Sequence, residues 1–145
     1  MRALLQRVRS ASVTVAGETI ASIDQGLLVF AALLTTDTEQ RIARMAERVL
    51  QYRMFADEQQ RMNCNVQQIN GAVLVVSQFT LAANTDKGNR PSFGPAMAPD
   101  LASTQYEYFL SQIKERYSNV VSGQFQADMQ VSLVNDGPVT FWLDT

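Results

Sequence analysis

The sequence contains no histidine. That removes Ser-His-Asp and Cys-His arrangements from the possible chemistry, because both need an imidazole as base. It contains one cysteine, Cys64, so no internal disulfide can form, which fits a reducing compartment. Cys64 has neither a second Cys nor a His with which to hold zinc, and no metal or other cofactor is expected. No apolar run approaches the roughly 20 residues of a membrane-spanning helix. The opening MRALLQRVRS is broken by charge too early for a signal-peptide core, and the chain reads as cytoplasmic. Positive charge is not in excess: 12 Lys and Arg stand against 14 Asp and Glu, for a net charge of −2. A wide phosphate footprint of the kind that holds duplex DNA is therefore not expected. A small basic patch made from Arg2, Arg7, Arg9, Lys87 and Arg90 remains possible. From composition alone, ordinary surface charge is the better reading of those five.

What is present suits one domain spanning residues 1–145. A chain of this size buries about 68–70% of the surface its unfolded form exposes, so it folds without staples. No internal repeat, low-complexity tract or linker divides it. From Ala3 to Leu34 the pattern is that of strands. Ser12 to Val15 alternates, Gly17-Glu18 marks a turn, and Gly26 precedes the apolar run Leu27 to Leu34. Thr36 with Glu39 resembles a capping box, and Ile42, Met45, Ala46, Val49 and Leu50 then follow helical spacing to about Tyr52. Arg53 to Val66 reads as a strand with a turn near Asp57. Asn70-Gly71 signals a turn before a buried strand, Ala72 to Gln78. Pro99 and Asp100 open a second helix, with Asp100 as N-cap and Ala102, Tyr106, Phe109, Leu110, Ile113 and Tyr117 on one face. Strands return at Val120-Val121, Val131 to Val134 and Val139 to Leu143, the last two joined by a tight turn at Asn135-Asp136-Gly137. The sum is a mixed α/β fold: a twisted, barrel-like, largely antiparallel β-sheet covered on one side by two long helices.

Two stretches carry candidate chemistry. Ser77-Gln78-Phe79-Thr80 places two hydroxyls and an amide where a buried strand gives way to a long polar loop, a common location for functional groups. Lys87, in that loop, is within reach of Ser77 and Thr80 as a base of the Ser-Lys kind. The plainer reading is that both hydroxyls satisfy backbone groups at a strand end. The second stretch is Asn135-Asp136-Gly137-Pro138-Val139-Thr140. It reads as a hairpin turn, except that Pro138 removes a donor where the next strand should begin. Neither Gly88-Asn89-Arg90-Pro91 nor any other segment has the spacing of a phosphate-binding loop, and the carboxylates lack metal-ligand spacing.

Taken together, Ser77 to Thr80, Lys87-Gly88-Asn89-Arg90-Pro91-Ser92-Phe93 and Asn135 to Thr140 resemble the signature of the D-aminoacyl-tRNA deacylase (D-tyrosyl-tRNA deacylase) family. Gln6-Arg7-Val8, Ala11-Ser12-Val13 and the run Gly123, Phe125, Ala127, Asp128 and Met129 extend the likeness along the chain. It departs from the family pattern at Phe30-Ala31-Ala32-Leu33, where a Gly is frequent near the strand end. The resemblance implies a cytoplasmic homodimer that hydrolyses the ester joining a D-amino acid to the terminal adenosine of tRNA. It implies that L-aminoacyl-tRNA is spared and glycyl-tRNA accepted. It implies that Gly137-Pro138, with a cis peptide, enters the partner's pocket and selects chirality, and that Ser77, Gln78, Phe79 and Thr80 form the catalytic floor. Arg7, Phe125 and Met129 would serve substrate binding, the last two near the terminal adenosine. The tRNA 2′-hydroxyl would orient or activate water, which accounts for the missing imidazole. Two other readings fit the residues: a non-catalytic module for tRNA acceptor ends, and a small-ester hydrolase using Ser77 or Thr80 with Lys87.

Overall fold

The structure, a computed structural model, describes residues 1–145. Its elements follow in the order β1 (Arg2–Val15), β2 (Glu18–Ile23), β3 (Gly26–Ala32), α1 (Glu39–Gln51), β4 (Phe55–Ala56), β5 (Met62–Cys64), β6 (Ala72–Ser77), a 3-10 helix (Phe79–Ala82), α2 (Pro99–Lys114), β7 (Val120–Ser122) and β8 (Met129–Asp144). The main sheet has the order β2-β1-β3-β6-β7, and β8 lies along β1. β1 pairs antiparallel with β2, β3 and β8, whereas β3-β6 and β6-β7 are parallel. β2 also approaches β6 and β7, which curls the sheet toward a barrel. The mixed, barrel-like fold read from the sequence is the fold observed.

Burial explains the apolar runs. Leu27, Val29 and Ala31 of β3 and Val73 and Val75 of β6 face a core shared with α1 and α2. Their neighbours Leu28, Leu74 and Val76 face a second, smaller cluster with Val8, Ala11, Val13, Ala21 and Ile23. Strands covered on both faces lose the polar-apolar alternation of half-buried ones. β1 shows how a bulge keeps a face in order. Val8 pairs with Asn135 and Ser10 with Val134, so Arg9 is an extra residue. That one-residue shift lets Val8, Ala11 and Val13 share a face although their spacing is not even.

α1 buries Ile42, Met45, Ala46, Val49 and Leu50, as the periodicity requires. Its N-cap is Thr38, whose hydroxyl accepts from the Arg41 N–H at 3.4 Å; Thr36 lies outside the helix. Asp100 does not cap α2 either. Ala98 holds the cap position, Pro99 begins the helix where its missing N–H costs nothing, and Asp100 sits in the first turn. Residues 53–66 form a small hairpin of two strands, β4 and β5, rather than one strand. The Asp57 carboxylate closes its turn by accepting from the N–H groups of Gln59 and Arg61, both at 2.9 Å.

The largest departure is at residues 135–139. No hairpin turn exists there, because β8 continues through it along a single partner. Between the pairs Gln6↔Thr140 and Val8↔Asn135, β1 supplies one residue, Arg7, and β8 supplies four, Asp136 to Val139. Asn-Asp-Gly is a strong local turn signal. β1, at 14 residues, is long enough to pair with both halves of β8, so the turn is spent on a bulge. Pro138, which has no N–H to give to a ladder, falls inside that bulge.

Candidate active site

β6 ends at Ser77 beside the end of β3, where the Gln78 N–H donates to the Ala31 carbonyl at 2.8 Å. Parallel strands gather ligand sites at their carboxyl ends. The chain then winds into the 3-10 helix Phe79–Ala82, in which the Leu81 N–H turns back to the Gln78 carbonyl at 3.2 Å. The N–H groups of Phe79 and Thr80 start this helix and donate to nothing else in the chain. The Gln78 side-chain amide donates to Thr80 Oγ1 at 2.6 Å. Thr80 thus has one lone pair occupied and its own proton free to give. Lys87 makes no hydrogen bond to Ser77 or Thr80, so neither hydroxyl has an adjacent base.

A cavity of about 460 Å³ opens on one side of this turn. Ser77, Gln78 and Phe79 form one wall, Ala31 and Ala32 another, and Phe125 and Met129 close it from the segment leading into β8. The lining is mainly apolar with a few polar groups, the usual make-up of a small-molecule pocket. Behind Phe125, at 5.6 Å between rings, lies Tyr106, whose hydroxyl donates to the Val75 carbonyl at 3.1 Å. Burial, with the Glu107 carboxylate adding to it, pushes the Tyr106 phenol well above its ordinary 10.0, so it stays a neutral donor. On the other side of Thr80 is a groove of about 430 Å³ floored by Thr80, Asn84, Arg2 and Trp142. Arg2 Nη1 donates to the Leu81 carbonyl at 2.9 Å, and its guanidinium lies 5.8 Å from the centre of the Trp142 ring.

The bulge forms a second constellation. The Gly137-Pro138 peptide is cis, and both residues are exposed. Gly137 has φ +130, a conformation open to glycine and strained for other residues. Around it, Arg7 Nε donates to the Asp136 carbonyl at 3.0 Å and Arg7 Nη1 to the Met54 carbonyl at 2.8 Å. Arg9 Nε donates to the Asp136 carboxylate at 3.1 Å. Asn135 ties the neck: Oδ1 accepts from the Val139 N–H and Nδ2 donates to Thr140 Oγ1, both at 3.0 Å. Arg7 is therefore engaged with its own chain.

Within one chain the two constellations stand apart. β1 measures the separation, since Arg2 reaches the 3-10 helix and Arg7 reaches the bulge. Five residues of strand span roughly 17 Å. Gly137 and Pro138 line neither the cavity nor the groove beside Thr80. The structure thus gathers Ser77, Gln78, Phe79, Phe125 and Met129 at one cavity, sets Thr80 on the neighbouring groove, and holds Gly137, Pro138 and Arg7 elsewhere.

Sequence reasoning missed Trp142, Arg2 as a prop of the 3-10 helix, and the bracket made by Asn135, Asp136 and Arg9. Trp142 did carry a signal. It is the only tryptophan in the chain, and it precedes the buried Leu143 on an alternating strand, which turns it outward. No helix is long and apolar enough to cross a membrane, and no three of the Cys, Asp and Glu side chains cluster as metal ligands would.

Residues 4–144 match the family model for D-Tyr-tRNA(Tyr) deacylase. The D-aminoacyl-tRNA deacylase of Dichelobacter nodosus is 54% identical over 143 residues, covering 99% of both chains. That of Citrobacter koseri is 57% identical over 143 residues, again covering 99% of both. Among solved structures, the c-Myc DNA Unwinding Element Binding Protein superposes with a TM-score of 0.96 at 39% identity, covering 100% of this chain and 99% of that one. A probable eukaryotic D-amino acid tRNA deacylase superposes with a TM-score of 0.86 at 17% identity, covering 99% of this chain and 98% of the other, which speaks to the fold alone. A match over nearly every residue, joined to relatives more than half identical over their full length, makes this chain a member of the D-Tyr-tRNA(Tyr) deacylase family.

Proposed function

We propose that this chain, acting as one domain over residues 1–145, is a D-aminoacyl-tRNA deacylase: a cytoplasmic ester hydrolase that frees D-amino acids from tRNA. The observation that carries the site assignment is the pair of unused N–H groups at Phe79 and Thr80. They stand at the rim of an apolar cavity large enough for a nucleoside. Donors fixed in advance on a developing oxyanion are worth about 10²–10³ in rate each. Ser77 and Gln78 shape the floor, Thr80 adds a hydroxyl proton to the oxyanion site, and Phe125 and Met129 hold the terminal adenosine. The substrate supplies what the protein lacks. The 2′-hydroxyl beside the ester orients the attacking water, and positioning does the rest. Water adds to the ester carbonyl, the tetrahedral oxyanion collapses, and the ribose 3′-oxygen leaves with a proton.

Chirality is read by Gly137-Pro138 of a second copy of the chain. Three observations support a cross-subunit site. The dipeptide is exposed, it is held rigidly by Arg7 and Asn135, and it lies roughly 17 Å along β1 from the turn bearing Thr80. A C₂ dimer returns it to the partner's groove beside Thr80 and produces two equivalent sites. There a backbone wall rejects an L side chain by contact, admits a D side chain pointing outward, and has nothing to reject in glycine. Arg7 serves the substrate by holding this wall.

The test is turnover of paired D-tyrosyl-, L-tyrosyl- and glycyl-tRNA. Release of the D-amino acid and of glycine with L-tyrosyl-tRNA intact is the expected result. Binding of the acceptor end without ester loss would make the chain a binding module. Turnover of simple esters lacking the ribose hydroxyl, lost in Lys87→Ala, would make it a Ser/Thr-dependent esterase.

A further inference from the structure

The loop between the 3-10 helix and α2 is the one long polar segment that the catalytic reading leaves without a task. It is built as a projecting arm. Asn84 and Ser92 exchange backbone hydrogen bonds of 2.8 and 2.9 Å at its base, and Phe93 packs on Phe79 with ring centres 5.0 Å apart. The arm therefore rises from the groove on which Thr80 sits. Lys87 and Arg90 stand three and two residues beyond the base, within roughly 10 Å of it.

Of the five basic residues singled out in the sequence, three are occupied. Arg2 is bound to Leu81 and lies 3.5 Å from the Asp144 carboxylate, and Arg7 and Arg9 are bound to Asp136. Lys87 and Arg90 are exposed and enter no ion pair or hydrogen bond. The nearby Asp86 accepts from Asn84 Nδ2 at 3.1 Å and forms no ion pair with either cation. The other cations without partners, Arg61 and Lys114, lie on the β4–β5 turn and at the end of α2. At the base of the arm that carries the two free cations stand two exposed aromatic rings, Phe79 at 62% and Phe93 at 39% exposure. Free cations interleaved with aromatic faces make a platform for single-stranded nucleic acid. A chain of net charge −2 needs such a local patch to hold a polyanion.

We propose that Lys87 and Arg90 grip the phosphates of the single-stranded acceptor end as it leaves the cavity, so the arm sets affinity for tRNA without touching the ester. This rests on the deacylase reading, and the experiment separates the two. D-tyrosyl-tRNA is compared with D-tyrosyl-adenosine, which carries the same ester and no phosphate, using Lys87→Gln, Arg90→Gln and the double variant. The double variant should lose about tenfold in kcat/KM on the tRNA, through KM, with kcat at saturation unchanged. Its log-log salt dependence should be shallower by about 1.4, from about 0.7 per single-strand phosphate contact. Turnover of D-tyrosyl-adenosine should be unchanged, and Lys87→Arg with Arg90→Lys should restore the tRNA rate. Unaltered KM and salt slope on tRNA would overturn the proposal, as would equal losses on both substrates, which would make the arm part of the catalytic wall. A wild-type protein that hydrolyses neither ester would instead remove the deacylase reading itself, and this inference with it.

Discussion

Arg7 donates from Nε to the main-chain carbonyl of Asp136 at 3.0 Å, while the Asp136 carboxylate lies 3.4 Å from the same nitrogen. One guanidinium on β1 thus fixes the first residue of a four-residue bulge in β8, and its other arm is anchored on Met54. Hydrogen bonds to charged groups contribute about 1.5–3 kcal/mol each. Arg7→Ala should therefore loosen Gly137-Pro138 and lower D-aminoacyl-tRNA turnover by about 10- to 100-fold. Arg7→Lys should recover little of it, because an ammonium cannot reproduce the planar fork. Steady-state kinetics beside a thermal melt checks this; a large fall in Tm with unchanged turnover per folded molecule would contradict it.

Gly137→Ala tests the wall directly. A Cβ there would stand 2.8 Å from Val139 Cγ2 and 3.0 Å from Arg7 Nη2, in a backbone conformation with φ +130. The added methyl must push both neighbours, so the dipeptide shifts; Val139 packs against the edge of the main core, so a thermal melt is run beside the kinetics. D-substrate turnover should drop by at least about tenfold, and the ratio of D to L turnover should narrow. Native circular dichroism with an unchanged ratio would count against the filter.

Thr80→Ala should slow hydrolysis by about 10²–10³ and leave residual activity, since the two N–H groups remain. The hydroxyl already accepts from Gln78 at 2.6 Å and has no base beside it, which suits a donor better than a nucleophile. D-tyrosyl-tRNA ending in 2′-deoxyadenosine should lose more than this variant does. Isolation of an acyl-enzyme from the wild type by rapid quench and mass spectrometry would reverse the assignment.

If each site draws its floor from one subunit and its wall from the other, mixed dimers become diagnostic. Thr80→Ala and Gly137→Ala chains, each impaired alone, should regain activity when co-refolded. One site of the heterodimer then contains Thr80 of one chain and Gly137 of the other, both intact. Sedimentation should give a dimer at micromolar concentration. A fully active monomer, or no recovery on mixing, would rule the arrangement out.

Tyr106 predicts a pH dependence of stability. Its phenol is raised above the ordinary 10.0 in the folded state, first by burial and then by Glu107. The unfolded chain therefore loses this proton at a lower pH than the folded chain does. The stability is fully present below pH 10.0 and falls as pH rises above it. Tyr106→Phe gives up the bond to Val75, about 1 kcal/mol near neutrality, and should show a flatter alkaline fall. Urea melts at pH 7 and above pH 10 decide it; parallel curves for both proteins would refute the role of this group.

The sequence by itself determined the class of fold, the two long helices and the core faces. Ile42, Met45, Ala46, Val49 and Leu50 are legible because a 3.6-residue period leaves no choice of face once the helix exists. The runs in β3 and β6 are legible because strands buried on both sides need apolar side chains throughout. Ser77 to Thr80 stood out for the same local reason, an apolar strand ending in polar groups. Only the tertiary structure decided the rest. Asn135-Asp136-Gly137 carries a turn signal, yet what it does depends on β1, more than a hundred residues earlier, being long enough to pair with both flanks. Thr36 with Glu39 carries the capping-box pattern, yet the helix begins two residues later and Thr38 is the cap. Which arginines are spent and which cations stay free is likewise invisible in composition. The folded chain brings a carboxylate to Arg7 and none to Lys87, since an ion pair is a property of distance and not of spacing along the sequence.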